Sequence, residues 1–325
     1  MSGNHNQSLD RALAIVDAAA AAGAHALKLQ TYTADTITMK GVHRIEDPNS
    51  LWYGKELHDL YRLAYTPWEW HAPIFERARQ HGMVAFSTPF DETAVDFLET
   101  LDVPAYKIAS FENTHLPLLR RVAQTGKPVI VSTGVATLAD IAEAVGVLRQ
   151  NGCPHIALLK CTSTYPASPE NSNIKTIPYL SDIHQCVAGI SDHTMGIGVS
   201  IAAVALGARI IEKHFCLSRA EGGVDSAFSL EPHELKDLIS ETERAFWSLG
   251  TVQMGIQPAE QASLAYKRSI FVAQDIAEGE LLSPQNLQII RPADGLAPRY
   301  WDLVLGKPAR KNLQRGMPLR WDDLL

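Results

Sequence analysis

The sequence predicts an α/β protein, a (β/α)8 TIM barrel followed by a small α+β unit. Three observations carry this. From residue 8 to about 215, short apolar runs alternate with helix-patterned segments at a period of roughly 20–30 residues, the rhythm of parallel βα units. Each visible run closes on polar residues: Lys28/Gln30, Ser87/Thr88, Lys107/Ser110, Ser132/Thr133, Lys160/Thr162, Ser191/His193 and Glu212/His214. A barrel places its chemistry at the carboxyl ends of its strands, whereas a doubly wound sheet gathers it at one switch point. After residue 230 the rhythm stops, and a turn-rich segment takes over.

The elements follow in order. Ser8 can cap a helix over Leu9–Ala22, with Leu13, Val16 and Ala20 at helical spacing and Gly23 as its stop. Strands are expected at 26–32, 83–88, 105–110, 128–133, 156–161, 186–191 and 209–214. Helices are expected at 68–81, 92–101, 117–125, 138–151, 196–207 and 232–249. Seven strands leave an eighth to be sought immediately before Met1. Trp52, Trp68 and Trp70 flank an insertion over 33–66 that either covers the mouth or packs locally. The expected domains are a barrel over 1–250, a polar linker over 251–266 and a compact unit over 267–325. That unit holds short strands at 269–273 and 288–291 and turns at Gly279-Glu, Gly306-Lys-Pro and Arg315-Gly-Met-Pro. At roughly 60 residues it is marginal in core size.

Composition narrows the function. Lys and Arg number 29 against 36 Asp and Glu, a net charge of −7, with no basic block; nucleic acid is not expected as a partner. Apolar stretches are too short to span a bilayer, and Met1 is followed by polar Ser-Gly-Asn-His-Asn, so a cytoplasmic protein without membrane association is expected. Cys153, Cys161, Cys186 and Cys216 show no disulfide or zinc-ribbon spacing. The absence of Walker, GxGxxG and GxSxG motifs argues against nucleotide and serine-hydrolase chemistry.

Two signals point to a site. His193 in Ser191-Asp-His-Thr and His214 in Glu212-Lys-His-Phe follow adjacent late strands. Imidazoles converging at a barrel mouth suit a borderline divalent ion and leave coordination positions open for substrate oxygens. The alternative is a pair of hydrogen-bonded core histidines; His43, His58, His71, His81 and His233 read as surface or loop residues. Lys28 and Lys107 lie on strands facing an interior of Val, Ile and Ala. An ammonium placed there needs an anionic partner, either an internal carboxylate such as Glu112 or Glu212 or an anionic substrate hydrogen-bonded by Ser110, Ser132 and Thr133.

These segments together resemble the sialic acid synthase family. The residues are Asn4-His5…Ser8, Lys28-Leu-Gln30, Ser87-Thr-Pro-Phe90, Tyr106-Lys-Ile-Ala-Ser110, Val131-Ser-Thr-Gly134, Cys161-Thr-Ser-Thr-Tyr-Pro166, Ser191-Asp-His193 and Glu212-Lys-His-Phe215. Gly279-Glu and Arg291-Pro…Gly295-Leu resemble that family's SAF (antifreeze-like) domain. Leu51-Trp52, Thr66–His71, Ser163-Thr-Tyr-Pro and Gly222–Leu230 are most similar to the pseudaminate-forming branch; the neuraminate branch usually carries Asn where Ser163 stands.

The resemblance implies a transferase that condenses phosphoenolpyruvate with an N-acylated amino sugar. For this branch the sugar is a 2,4-diacetamido-2,4,6-trideoxy-altrose, and the products are a nine-carbon 2-keto acid and phosphate. It implies Glu212, Lys107 and Lys28 as catalytic residues. Asn4, Gln30, Thr88, Ser110, Glu112, Ser132, Tyr165, Ser191, Asp225 and Arg291 are the implied substrate contacts, and His193 and His214 the ligands of Mn2+, Co2+ or Mg2+. It further implies a domain-swapped homodimer in which Arg291 serves the partner's site. In the family the strand expected before Met1 ends in Ala-Glu, with the glutamate in the site. The alternatives are a neuraminate or legionaminate synthase, and an inactive binding protein lacking that strand.

Overall fold

The computed structural model describes residues 1–325, which divide into compact units over Met1–Gly250 and Thr251–Leu325. In the first, seven strands form one sheet: β1 (Ala26–Thr31), β2 (Val84–Pro89), β3 (Tyr106–Ile108), β4 (Val129–Ser132), β5 (Ile156–Cys161), β6 (Val187–Ser191) and β7 (Ile211–Glu212). Every neighbouring pair is parallel, and the strands lie in chain order with no reversal. Sequential order without a switch point is the arrangement of a (β/α) barrel, not of a doubly wound sheet.

The helices are α1 (Leu9–Ala22), α2 (Ala34–Ile37), α3 (Leu57–Ala64), α4 (His71–Gln80), α5 (Glu92–Thr100), α6 (Leu116–Ala123), α7 (Leu138–Gln150), α8 (Thr176–His184), α9 (Gly198–Ala205) and α10 (Pro232–Ser248). α10 packs against both α9 and α1, so the helical layer closes from its last member to its first. Local chemistry sets the ends. Ser8 accepts from the Arg11 N–H, and Gly23 (φ 95°) ends α1 in the left-handed region; Thr137 and Asp140 form a capping box on α7. Ile15, Leu29, Ile74, Leu98, Ile108, Leu118 and Leu158 fill the space between sheet and helices. No helix is long and apolar enough to cross a membrane.

Several elements depart from expectation. β3 and β7 are three and two residues long, because their carboxyl ends leave the ladder to enter the mouth. α8 is absent from the sequence-level reading, since Pro178 sits in its first turn and interrupts the helical pattern. The 33–66 insertion contains α2 and α3, not only loop. His58 and His71, read as surface residues, are buried: His71 is fully enclosed, with Nε2 at 2.8 Å from Thr31 Oγ1, and His58 lies 2.8 Å from Asp35. Their α-helical positions face inward, which a polar residue type does not reveal.

The second unit has an antiparallel pair, β8 (Ser269–Val272) and β9 (Leu287–Ile290), and one short helix, α11 (Trp301–Val304). Single bridges such as Ile276–Leu313 and Ala309–Leu324 draw its loops around Ile270, Val272, Leu287, Val304 and Leu319. Residues 258–266 form a 3-10 helix, and the Ala293 N–H donates to the Ala265 carbonyl, which ties that segment to this unit.

Candidate active site

The carboxyl ends of β1, β3, β6 and β7 meet around one carboxylate. Glu212 Oε1 accepts from Lys107 Nζ (3.0 Å) and from the Ser191 hydroxyl (2.9 Å), while Oε2 lies 3.2 Å from Lys28 Nζ. The internal partner that the sequence left open is therefore Glu212. Burial pushes the Glu212 carboxyl up, but Lys107 and Lys28 outweigh it and hold it well below the usual carboxylate range. Burial in turn draws Lys107, 1% exposed, down to about 8 against the pull of Glu212. Two cations on one anion leave one positive charge uncompensated, a standing attraction for an anionic ligand.

Hydroxyls line the same mouth. Ser132 Oγ accepts from Lys107 Nζ (2.7 Å) and keeps its own proton free to donate. Thr88 Oγ1 is buried without a partner, as is Glu112 Oε2. Burial raises the Glu112 carboxyl to about 7, with Lys107 opposing. Unpaired buried polar atoms are costly unless something fills the space between them. Gly134 leaves room here: a Cβ at that position would meet Ser110 Oγ at 2.6 Å and collide with Ser163 Oγ.

The two candidate ligand histidines face each other, ring centroids 5.3 Å apart. His193 Nδ1 donates to the Thr162 carbonyl (3.1 Å), which orients the ring and leaves Nε2 as the nitrogen available to a ligand. Burial, reinforced by His193, pushes His214 well below the usual imidazole range and keeps it neutral. Its Nδ1 lies 3.1 Å from the Ser2 hydroxyl and 3.9 Å from Asp225 Oδ2. No group of three or more His, Cys, Asp and Glu side chains is gathered for an ion. The donor set is two facing imidazoles, which fits a borderline divalent ion that keeps open positions for oxygen ligands.

Around them stand aromatic rings. Tyr165 lies 4.6 Å from His193 and 5.2 Å from Phe228, and Trp52 lies 6.2 Å from Tyr165. The Trp52 indole donates to the Val224 carbonyl (3.2 Å), so the 33–66 insertion does reach the mouth. Trp68 and Trp70 pack instead on Phe97 and His5. Asp225 sits beside this wall, its carboxyl raised by burial. Asn4 is buried, donating to the Phe215 carbonyl (2.9 Å) and Ser229 (2.8 Å), with Oδ1 unpaired. Gln30 lies on β1 in register with Thr88. Arg291 belongs to the second unit and is exposed.

Two residues escape the sequence-level selection. Cys161 at the end of β5 is buried 3.9 Å from His193 Nδ1. Burial raises its thiol, but His193, Ser110 and Ser163 overcome that and bring it to about 7. Lys160 turns its Nζ to the Cys161 carbonyl (2.9 Å). Their location at a strand end was the available signal. A roomier concavity of about 660 Å³ lies at Pro169–Thr176, Tyr179 and Val199, but it lacks the convergent charged groups of the mouth.

Cations, hydroxyls and imidazoles converging on strand ends define a barrel enzyme. The chain belongs to the NeuB family, whose profile matches residues 15–254, and it carries a SAF domain over 267–325. It is 39% identical over 326 residues to the pseudaminic acid synthase of Campylobacter jejuni, covering 99% of this chain and 94% of that one. It is 39% identical over 329 residues to the pseudaminic acid synthase of Helicobacter pylori, covering 100% and 96%. Among solved structures, the N-acetylneuraminic acid synthetase of Leptospira borgpetersenii, in complex with citrate, superposes with a TM-score of 0.71. It is 34% identical, with 81% of this chain and 88% of that one covered.

Proposed function

We propose that the chain is a pseudaminic acid synthase. It condenses phosphoenolpyruvate with 2,4-diacetamido-2,4,6-trideoxy-altrose and water, giving a nine-carbon 2-keto acid and phosphate. The near full-length similarity to two pseudaminic acid synthases supports the choice of sugar. The observation that carries the reaction is the Lys28–Glu212–Lys107 cluster beside the facing His193 and His214 rings.

In this reading Lys28 and Lys107 bind the phosphate and carboxylate of phosphoenolpyruvate, Ser110, Ser132 and Thr88 orient them by hydrogen bonds, and Ser191 holds the Glu212 carboxylate beside them. The enol carbon attacks the open-chain aldehyde, and water then adds to the cationic C2. Glu212, held ionised by its two lysines, takes that water's proton at a carboxylate oxygen. Phosphate then leaves by C–O cleavage as the C2 hydroxyl gives up its proton to become the ketone, and the alkoxide formed from the aldehyde takes up the proton held by Glu212. His193 and His214 would hold Mn2+, Co2+ or Mg2+, which when bound would supply Lewis-acid polarisation of the aldehyde oxygen. Trp52, Tyr165 and Phe228 form an apolar wall for the deoxygenated, acylated end of the sugar, with Asp225, Glu112, Gln30 and Asn4 as its polar contacts. The working assembly is a domain-swapped homodimer in which Arg291 faces the sugar of the partner's site.

Phosphate release, measured with the trideoxy altrose, its legionaminate-forming isomer and N-acetylmannosamine, tests the reading. Release with the first sugar at least tenfold faster than with the others is expected. A preference for another sugar reassigns the substrate, and no release with any sugar defeats the enzymatic reading of this chain. Arg291→Ala should raise KM for the sugar about tenfold and leave KM for phosphoenolpyruvate within twofold, as loss of one charged contact implies. Equal changes in both, or none, would count against the swap.

A further inference from the structure

We propose that Asp192 and Lys213 are positioning residues, a buried ion pair that sets the spacing of the His193 and His214 rings. The inference rests on the reading of those imidazoles as metal ligands. Each member directly precedes a histidine in the chain. On extended backbone, successive side chains point to opposite sides, so a pair locked on one side orients its neighbours on the other. The contacts follow that alternation. Ser191 and Glu212 are in register and hydrogen-bonded in the mouth (2.9 Å). Asp192 and Lys213 pair next, at 3.1 Å, with side chains only 1% and 3% exposed. His193 and His214 then face each other in the mouth.

The Asp192 carboxylate is fully engaged. Asp192 Oδ1 accepts from the Thr194 N–H (2.9 Å) and hydroxyl (2.7 Å), and Oδ2 accepts from Ser200 of α9 (2.7 Å). Lys213 Nζ also donates to the Thr194 carbonyl (2.5 Å), and the Asp192 N–H donates to the Glu212 carbonyl (2.9 Å). These bonds clamp the chain on both sides of His193 to the strand that carries His214. Net stability is a weak reason for such a pair, because well-packed apolar side chains of similar volume often do as well. Geometry is a better one. A histidine ligand displaced by a loosened support typically loses 10–100-fold in metal affinity.

The test uses the full chain, stripped of metal and titrated with Mn2+, free ion being followed by electron paramagnetic resonance. The variant is D192L/K213M, which removes both charges together. Expected is a folded protein by near-ultraviolet circular dichroism whose Mn2+ dissociation constant rises about 10–100-fold. Its kcat should fall while KM for phosphoenolpyruvate stays within twofold, since Lys28 and Lys107 are untouched. A folded double variant that binds Mn2+ within twofold of wild type overturns the proposal and leaves the metal reading standing. Wild-type protein that binds no Mn2+ overturns both. If the double variant does not fold, Ser200→Ala removes a single support of Asp192. A rise of about threefold to fivefold is then expected, in line with one hydrogen bond, and no change overturns the proposal.

Discussion

Lys107 and Glu212 depend on each other, and their separate removal has different consequences. Lys107→Met takes away an ammonium that also donates to Ser132, and leaves Glu212 with Lys28 alone. We expect kcat/KM for phosphoenolpyruvate to fall about 10²–10³-fold, the usual cost of losing a preorganised donor. Glu212→Gln keeps the shape but loses the carboxylate proposed as the base, so kcat should drop about 10²–10⁴-fold with KM for phosphoenolpyruvate little changed. Steady-state kinetics of both variants check this; a Glu212→Gln enzyme with normal kcat removes Glu212 from the chemistry. At this scale the sequence was legible in part. The polar strand endings marked Lys28, Lys107, Ser191 and Glu212, but not whether Lys107 meets Glu112 or Glu212. That choice depends on how far the sheet curls, which no residue type encodes.

Among the elements, β6 is held against the backbone that leads into β7. Gly189 lies where any Cβ would collide with the Ile210 carbonyl and come within 2.8 Å of Leu159 Cδ2. Backbone cannot yield there as a side chain can. Gly189→Ala should therefore destabilise the protein by about 1–3 kcal/mol, the range for overpacking, and displace β7 with His214. Urea unfolding checks the first part; an unchanged midpoint would show that β7 is freer than the contacts indicate. Strand and helix alternation was readable because apolar periodicity follows from burial. α8 was not, because Pro178 in its first turn resembles a loop signal although a proline there costs no helical hydrogen bond.

Across the whole molecule, the buried histidines set a lower pH limit. His71 is fully enclosed between α4 and β1, and burial lowers its imidazole to about 4. His5 is lowered to about 4 in the same way. Such a group favours folding only while neutral. Its contribution is complete above the unfolded value of 6.5 and is lost as pH falls from there toward 4. By pH 5 the loss is about 2 kcal/mol for one imidazole. Urea midpoints at pH 7 and pH 5 should show this drop in the wild type and a shallower one in His71→Gln. Identical slopes in the two proteins would sink the argument.

The sequence by itself determined the barrel class, the order of its strands and which strand ends are polar. Those depend on local periodicity and on polar residues interrupting apolar runs. Only the tertiary structure decided that Glu212 binds both lysines, that Asp192 and Lys213 pair behind the histidines, that Trp52 reaches Tyr165, and that His58 and His71 are interior. Each of those joins residues far apart in the chain, or turns on which face of a helix meets the sheet. Electrostatic pairing and burial are set by distance in space, and that distance exists only once the strands have curled and the helices have closed around them.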